Sequence, residues 1–271
     1  MPLRQAQVPV LDRGYLFGDA VYEGLHLSGG RVRFLDAHLA RLRRSLAELQ
    51  ITGVDLDRLR RRLEETIAAS GCQEAFIYIQ ISRGVGPRRS HAFPQECTPT
   101  ELIFVEESGD PYGEIRQSGG RAVTFPDWRW QRCDIKTVNL LGNVLAAQAA
   151  KQAGAVEAVL IRADGTLSEG SRTSVFGVVA GTIRTAPQSP HILPGVTRAF
   201  VLGMIRDLGL PLAEQAIHRD ELPRLDELFL TGTTAEVLPI VQLDAQVIGT
   251  GQPGPLTRTL QAEFRRRVAQ A

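Results

Sequence analysis

Residues 129–143 read RWQRCDIKTVNLLGN. This stretch contains Lys136, and the chain has lysine only at positions 136 and 151, whereas arginine takes the basic role elsewhere. Unlike arginine, lysine can be tuned to lose its proton and can form a Schiff base with a carbonyl compound. Ile135 and Val138 flank Lys136 closely, which is an unusual setting for a surface charge. Lys136 is therefore either a chemically reactive amine or an ordinary lysine at the end of a strand.

The composition excludes several classes of protein. The chain has 271 residues, with 31 basic and 30 acidic side chains and a net charge of +1. This balance gives no bulk attraction to nucleic acid or to a membrane surface. The N-terminus lacks the apolar core of a signal peptide, and no apolar run approaches the ~20 residues that span a bilayer. We therefore expect a soluble, cytoplasmic protein without nucleic-acid or membrane partners.

The cysteine and histidine residues argue against a metal site and a disulfide framework. Cys72, Cys97 and Cys133 are far apart in the sequence and form no CxxC pair. The five histidines show no metal-ligand spacing. This cysteine usage is typical of a reducing compartment, so we expect no bound metal.

The first hundred residues predict strands with two helices inserted. Residues 21–34 are expected to form two strands joined by Gly29-Gly30, a favourable two-residue turn. Asp36 is the expected N-cap of a helix over residues 37–49. Beside the apolar stripe of this helix runs a polar line of His38, Arg41 and Ser45.

A second helix is expected to follow, with Asp55 as its N-cap. The segment AFIYIQIS over residues 75–82 alternates strictly between apolar and other side chains, which predicts a strand with one buried face. Residues 101–106 predict another strand.

Later elements fall into strands and helices that do not alternate as in a doubly wound sheet. The expected strands are 121–125, 156–161, 174–179, 227–230 and 237–243. The expected helices are 139–153, capped by Asn139, 196–208 and 257–268. The polar stretch after residue 107 is the best linker candidate. We therefore predict two α+β domains, residues 1–109 and 121–271, with an interdomain linker over 110–120 and a ligand cleft between the domains.

Three segments carry candidate chemistry, and each has an ordinary structural interpretation. Glu169 follows a turn and is either a turn acid or, beside a Schiff-base lysine, a partner for a cofactor ring nitrogen. LPGVTR (193–198) opens a helix, and free N–H groups at a helix N-terminus can bind phosphate. LTGTTAE (230–236) is a strand end whose backbone and threonine hydroxyls could hold a second side of a phosphate.

The loop RGVGPRRSHAFP (83–94) holds Arg88, Arg89 and His91 close together. Arginine grips carboxylates in bidentate fashion, so the loop could bind a substrate acid. A solvated basic loop is the alternative interpretation.

Six segments together resemble pyridoxal-phosphate enzymes of fold type IV. They are DRGYLFGDAVYEG (12–24), RGVGPRRSHAFP (83–94), RCDIKTVNLLGNVLA (132–146), DGTLSEGSRTSVFGV (164–178), LPGVTR (193–198) and DELFLTGTTAEVLPI (226–240). The likeness runs in order across nearly the whole chain. It implies a smaller N-terminal α/β sandwich domain and a larger C-terminal pseudo-barrel domain that carries the reactive lysine. Within the family, the RCDIKTVNLLG and RSHAFP segments are most similar to D-amino acid transaminases.

The resemblance implies a role for each matching residue. Lys136 would be the Schiff-base lysine and proton shuttle, and Glu169 would pair with the pyridine nitrogen. The cofactor phosphate would be bound by Arg41, Val196, Thr197, Gly232 and Thr233. The substrate would be bound by Tyr22, Arg89, His91 and Thr234, with a loop that could reach in from the partner subunit of a homodimer.

The loop departs from the family pattern. It reads Pro87-Arg88-Arg89-Ser90-His91, one residue longer than Pro-Arg-X-His. Counting back from His91 favours Arg89 as the carboxylate ligand, and counting forward from Pro87 favours Arg88.

The activity implied by the resemblance is transamination of D-amino acids by a ping-pong mechanism through Lys136. D-alanine and 2-oxoglutarate would give pyruvate and D-glutamate. The alternatives are a branched-chain L-amino acid aminotransferase or an aminodeoxychorismate lyase of the same fold, and a non-catalytic protein that only binds pyridoxal phosphate.

Overall fold

A computed structural model describes residues 1–270 of the chain, and these residues divide into two compact units. The first unit comprises residues 1–109 and 135–139, and the second comprises residues 110–134 and 140–270. Lys136, which the sequence assigns to the second domain, thus packs with the first unit. The predicted domain and linker limits stay a prediction, and Ala271 lies outside the described residues.

The first unit contains an antiparallel sheet covered by helices on one face. Its elements are α1 (Arg13–Phe17), β1 (Ala20–Ser28), β2 (Arg31–Val32), α2 (Leu35–Glu48), α3 (Leu56–Ser70), β3 (Ala75–Ser82) and β4 (Thr100–Glu107). The strand order is β2-β1-β3-β4. The apolar stripes of α2 and α3 pack on alternate residues of β1 and β3 and form one core. The core includes Val21, Leu25, Leu42, Leu59, Ile77, Ile79 and Ile81.

The predicted hairpin and its turn are confirmed. Gly29 and Gly30 join β1 to β2 with φ angles of 57° and 74°. A two-residue turn with positive φ at both positions matches the twist of the flanking strands, and glycine adopts it without a steric penalty. Asp55 also caps α3 as expected, because its side chain accepts hydrogen bonds from Asp57 N and Arg58 N.

Two predicted helix caps are wrong. The helix α2 begins at Leu35 with Phe34 as its N-cap, so Asp36 lies in the first turn, where its charge faces the positive end of the helix dipole. Asn139 does not cap the following helix. Its Nδ2 atom instead donates to Gly18 O and Thr137 Oγ1, at 3.0 and 2.8 Å.

The second unit is built on a larger sheet. Its elements are α4 (Gly113–Ser118), β5 (Gly120–Pro126), α5 (Leu141–Gln152), β6 (Glu157–Ile161), β7 (Leu167–Gly170), β8 (Ser174–Val179), β9 (Thr182–Arg184), α6 (Val196–Asp207), β10 (Leu212–Ala213), β11 (Glu227–Gly232), β12 (Glu236–Leu243), β13 (Gln246–Val247) and α7 (Pro255–Gln270). Short 3₁₀ helices occur at Leu3–Gln5 in the first unit and Arg219–Arg224 in the second.

The large sheet curls on itself. Its strands follow the order β10-β9-β8-β11-β12-β5-β6-β7, and β13 pairs with β12. The end strand β7 also contacts β8, so the strands from β8 to β7 form a barrel-like ring around an apolar core. This arrangement, with the sheet and helices of the first unit, confirms the predicted α+β fold with a C-terminal pseudo-barrel.

Within residues 1–270, no helix is both long enough and apolar enough to cross a bilayer.

The last helix is fixed to the sheet by a buried carboxylate. Glu227, at the start of β11, accepts hydrogen bonds from Leu256 N and Thr257 N at 2.9 and 2.8 Å, and from Thr257 Oγ1 at 2.6 Å. These donors lie in the first turn of α7, where backbone N–H groups have no partner inside the helix. Glu227 therefore holds α7 against the strands that end at the predicted phosphate-binding turn.

We expect Glu227→Ala to lower the free energy of unfolding by about 2 kcal/mol, because three buried donors lose a charged acceptor. Urea denaturation followed by circular dichroism measures the change. Glu114→Ala, an exposed carboxylate on α4, is the matched control and should leave stability almost unchanged. Equal losses in the two variants would contradict the capping role of Glu227.

Candidate active site

The backbone of Lys136 is fixed by a strand and a helix of the first unit. Residues 135–139 run antiparallel to the start of β1, where Tyr22 N donates to Lys136 O at 3.0 Å and Val138 N donates to Ala20 O at 3.2 Å. On the other side, Lys136 N donates to Ser45 Oγ of α2 at 3.3 Å. Ser45 belongs to the predicted polar line of that helix and is fully buried. The main chain at Lys136 is therefore positioned by both elements.

The amine of Lys136 faces an aromatic surface. Its Nζ atom lies 4.1 Å from the centroid of the Tyr22 ring. Tyr22 stacks on Tyr78, which stacks on Phe104, at centroid distances of 5.6 and 5.1 Å. Burial raises the pKa of Tyr78 to about 12, so this phenol stays neutral. The ring face attracts a cation, but more weakly than a carboxylate does.

Glu23 on β1 forms a buried ionic cluster with His38 and Arg41, two residues of the polar line of α2. Glu23 is fully buried on β1. It accepts hydrogen bonds from Arg41 Nε and Nη2, at 2.8 and 2.7 Å, and from His38 Nδ1 at 2.7 Å. An ionised carboxylate can only accept, so the His38 proton lies on Nδ1. Arg41, the predicted phosphate ligand, is thus held in bidentate fashion by a residue of β1.

The cluster sets the charge states of its members. Burial opposes ionisation of Glu23, but the charge of Arg41, the hydrogen bonds from Arg41 and His38, and the charge of Lys136 outweigh it and lower the pKa of Glu23 to about 2. Burial lowers the pKa of His38, and Arg41 and Lys136 lower it further against the opposing effect of Glu23. At neutral pH, Glu23 is therefore anionic and His38 is neutral.

Glu169 lies at the centre of a second buried cluster, in the second unit. It sits on β7, not in a turn, and is 5% exposed. Leu193 N donates to Glu169 Oε2 at 3.0 Å, and Arg129 Nη1 donates to Glu169 Oε1. Arg129 also donates through Nε and Nη2 to Asp127 Oδ1 and Oδ2, both at 2.8 Å. Arg129 therefore shares its charge between two carboxylates.

Burial raises the pKa of Glu169 above its usual range, although the charge of Arg129 and the Leu193 hydrogen bond act in the opposite direction. The pKa of Asp127 is lowered, because the hydrogen bonds and charge of Arg129 outweigh its burial. Glu169 is thus the member of this cluster with the stronger tendency to bind or share a proton.

The two predicted phosphate-binding segments meet at Ser174. Ser174 pairs with Thr231 across β8 and β11, and its Oγ atom would lie 2.9 Å from a Cβ atom added at Gly195. Gly195 is the N-cap of α6, so Val196 and Thr197 place free N–H groups beside the end of β11. The turn after β11, residues 233–235, is held by Arg116 Nη1, which donates to Thr234 O at 3.2 Å.

One buried polar atom at this edge lacks a partner. Among the described residues, Thr231 Oγ1 makes no hydrogen bond, although Thr231 is only 1% exposed. Buried hydroxyls are normally satisfied, so an unmet donor next to a helix N-terminus is consistent with an anion-binding edge.

The loop over residues 83–94 is anchored by Arg13 at the start of α1. Arg13 Nη1 donates to Ser90 O at 2.6 Å, and Arg13 Nη2 donates to His91 O at 3.0 Å. Arg13 and Arg83 both pair with Asp19, with Nε–Oδ2 distances of 2.7 and 2.8 Å. Arg13 therefore fixes the loop backbone, although the Arg88, Arg89 and His91 side chains are exposed.

Arg89 and His91 are brought together by one aromatic ring. The Arg89 guanidinium lies 5.2 Å from the centroid of Phe17, and the His91 ring lies 5.4 Å from it. Both side chains therefore lie against Phe17, and the choice between Arg88 and Arg89 as the carboxylate ligand stays a prediction.

The site residues predicted from sequence thus fall into local groups. In the first unit, Lys136, Tyr22 and the cluster around Arg41 adjoin β1, and Arg89 and His91 adjoin Phe17. In the second unit, Val196 and Thr197 approach the turn that holds Gly232, Thr233 and Thr234. Glu169 is connected to this edge through Leu193, which lies just before α6.

Sequence reasoning missed the supporting residues Glu23, Arg129, Asp127 and Arg13. Glu23 left a signal, because it occupies a buried position of an alternating strand, and a buried charge needs a partner. The partners of Glu23 are His38 and Arg41, which belong to the polar line of α2. The contact of Arg129 with Glu169 and that of Arg13 with the loop at Ser90 left none, because these partners are distant in sequence. Within residues 1–270, no group of three His, Cys, Asp or Glu side chains could hold a metal ion.

Comparison with known proteins gives a consistent result over nearly the whole chain. The family model "Amino-transferase class IV" matches residues 20–243. The chain is 40% identical to a D-alanine aminotransferase of Bacillus licheniformis over 272 residues, which cover 99% of this chain and 94% of that protein.

Solved structures are similar over the same extent. The branched-chain amino acid aminotransferase of Escherichia coli has a TM-score of 0.89 at 26% identity, covering 98% of this chain and 91% of that one. A T.th. branched-chain amino acid aminotransferase with pyridoxamine 5'-phosphate has a TM-score of 0.87 at 28% identity, covering 99% of this chain and 91% of that one.

We expect Arg129→Gln to lower the free energy of unfolding by about 3 kcal/mol at about pH 8. At about pH 5 the loss should be smaller. The folded-state pKa of Glu169 is already raised, so its ionisation reduces stability as pH rises above its unfolded pKa of 4.5. Loss of Arg129 raises that pKa further, and at lower pH a protonated Glu169 needs no counter-ion. Urea denaturation at both pH values measures the effect.

Arg132→Gln is the matched control, since Arg132 lies in the same segment but its side chain is 42% exposed. A pH-independent loss, or the same loss in Arg132→Gln, would contradict the role of Arg129.

Proposed function

Because the chain belongs to the class IV aminotransferase family, we propose that it transfers the amino group of a D-amino acid to a 2-oxo acid, with pyridoxal 5'-phosphate as cofactor. The D-alanine aminotransferases that are 36–40% identical to the chain support this substrate class. D-alanine and 2-oxoglutarate are the substrates to test first.

The observation that carries the proposal is the placement of the Lys136 amine. Its main chain is fixed on two sides, and its amine lies over the Tyr22 ring, with no salt bridge to a carboxylate among the described residues. A positioned lysine whose charge is not locked by an ion pair can act both as an amine nucleophile and as a base.

Glu169 fits the nitrogen end of the cofactor. Each carboxylate oxygen can accept two hydrogen bonds, and among the described residues Oε2 takes only the Leu193 N–H. The raised pKa of Glu169 favours a strong hydrogen bond from a ring N–H to this carboxylate. Arg129 keeps the carboxylate in place.

The phosphate end is assigned to residues that offer positive charge and free donors. Arg41 supplies a guanidinium fixed by Glu23. Val196 and Thr197 supply N–H groups at the positive end of α6, and Gly232 and Thr233 supply the turn after β11. The likeness of the whole chain to class IV aminotransferases supports assigning both groups to one cofactor.

Bound pyridoxal phosphate supplies an aldehyde that links to an amine and a ring that takes up the electrons left when the substrate Cα–H bond breaks. Lys136 Nζ would take the Cα proton of the amino acid and transfer it to the cofactor instead of back to that carbon. Glu169 keeps the ring nitrogen protonated. A 2-oxo acid then receives the amino group in the second half of a ping-pong cycle.

The substrate carboxylate is assigned to Arg89 and His91, with Tyr22 and Thr234 as further substrate contacts. Arg89 offers a planar donor pair, which matches a carboxylate, and both Arg89 and His91 lie against Phe17. We further propose that the protein is a cytoplasmic homodimer, as the resemblance implies.

A second candidate function is transamination of branched-chain L-amino acids. It is favoured by the similarity of this chain to solved structures of branched-chain amino acid aminotransferases. The two candidates share the cofactor and Lys136 and differ in the handedness and side chain of the substrate.

Purified protein supplied with pyridoxal phosphate should turn over D-alanine with 2-oxoglutarate at least about tenfold faster than L-leucine, measured as pyruvate or keto-acid release. Lys136→Ala should fold normally and lose about four orders of magnitude in rate. Faster turnover of L-leucine would favour the second candidate, and pyruvate release from aminodeoxychorismate would indicate a lyase. Full activity in Lys136→Ala would contradict the assignment of the amine.

Arg89→Gln should raise KM for D-alanine by about tenfold or more, since a charge-assisted pair to the carboxylate is lost. Arg88→Gln is the matched control from the adjacent position and should change KM less than about twofold. Steady-state kinetics distinguishes the two, and the reverse order of effects would assign the carboxylate to Arg88.

A further inference from the structure

The first unit carries an unexpected charge on its apolar side. Glu23 shares the buried face of β1 with Val21 and Leu25, which belong to the core under α2 and α3. It is fully buried. A well-packed apolar residue would serve folding at this position at least as well, because a buried ion pair recovers little beyond its desolvation cost. The position of Glu23 therefore calls for a role beyond folding.

Charge balance around the strand indicates what that role is. The cationic groups in electrostatic range of Glu23 are Arg41 and Lys136, and the two hydrogen-bonded partners of its carboxylate are Arg41 and His38. His38 is neutral, so Glu23 supplies the negative charge of this cluster. Without it, Arg41 would lose this carboxylate partner, and the negative charge that attracts Lys136 would be absent.

We propose that Glu23 is a positioning residue for amino-group transfer, which orients Arg41 toward the cofactor phosphate and neutralises its charge so that Lys136 can carry a cationic linkage to the cofactor. This inference rests on the proposed function. Glu23 acts through Arg41 and Lys136 and does not itself touch the substrate.

The hydrogen bonds from Arg41 to Glu23 fix the orientation of the Arg41 guanidinium. Glu23 engages Nε and Nη2 of Arg41, which fixes the plane of the guanidinium. His38 Nδ1 fixes the carboxylate in turn. An arginine held this way loses less freedom on binding a phosphate than a free one.

The position of Lys136 beside β1 explains how the charge of Glu23 affects a positive charge on the Lys136 nitrogen. The Lys136 amine lies over the ring of Tyr22, the residue before Glu23 on β1, and its charge acts on both Glu23 and His38. His38 is neutral and Arg41 is cationic, so among these charged and titratable groups Glu23 is the one that stabilises a positive charge at Lys136. Removing its charge lowers the pKa of a protonated linkage at that nitrogen.

The test compares Glu23→Gln, which removes the charge, with Glu23→Asp, which keeps the charge but shortens the side chain. Glu106→Gln removes one exposed carboxylate from β4 of the same unit and is the matched control. Each protein, loaded with pyridoxal phosphate, is titrated with base, and the pH midpoint of its visible absorbance band is recorded. The dissociation constant for pyridoxal phosphate is measured separately on apoprotein by fluorescence quenching.

Glu23→Gln should shift the midpoint down by about one pH unit or more and weaken cofactor binding by about tenfold. Glu23→Asp should keep the midpoint near that of the unchanged protein but weaken cofactor binding several-fold, because Arg41 is held less firmly. Glu106→Gln should change neither quantity.

An unchanged midpoint in Glu23→Gln, with only a lower melting temperature, would show a merely structural carboxylate and overturn the proposal. If Glu23→Gln does not fold, Glu23→Asp decides, because cofactor binding as tight as in the unchanged protein would overturn it. Failure of the proposed function gives a different result: the unchanged protein itself would then show no visible band with saturating pyridoxal phosphate.

Discussion

The hydrogen bonds that join Lys136 to β1 and to Ser45 of α2 are the constraint on which the rest of the site depends. They fix the backbone of a five-residue segment, residues 135–139, onto the edge of the first sheet. Once that segment is fixed, the amine meets the Tyr22 ring, and Ile135 joins the core of the first unit. A lysine on a free loop would have neither a defined neighbour nor a defined charge environment.

Two buried glutamates, each paired with an arginine, behave in opposite ways. Glu23 is bound by both Arg41 and His38, and these partners outweigh its burial, so its pKa falls to about 2. Glu169 must share Arg129 with Asp127, so burial prevails and its pKa rises. The same residue type thus gives a permanent negative charge in one unit and a proton-sharing group in the other.

The sequence predicted most of the fold where patterns are local and repeated. Strict alternation in β3, the Gly29-Gly30 turn and the stripe of α2 each involve neighbours along the chain, and all three are confirmed. Strands of two to four residues, such as β7 and β9, are too short to show a period. The site residues were predicted from a resemblance, but the residues that hold them in place, such as Arg129, were not predicted. Arg129 and Glu169 are 40 residues apart, and only folding brings them into contact.

The most direct test of this account is covalent trapping at one nitrogen. The protein is incubated with pyridoxal phosphate, reduced with borohydride, digested, and mapped by mass spectrometry. The account predicts a single stable adduct on the peptide that contains Lys136, with Lys151 unmodified although it is exposed on α5. An adduct at Lys151 alone, or no adduct with saturating cofactor, would contradict it.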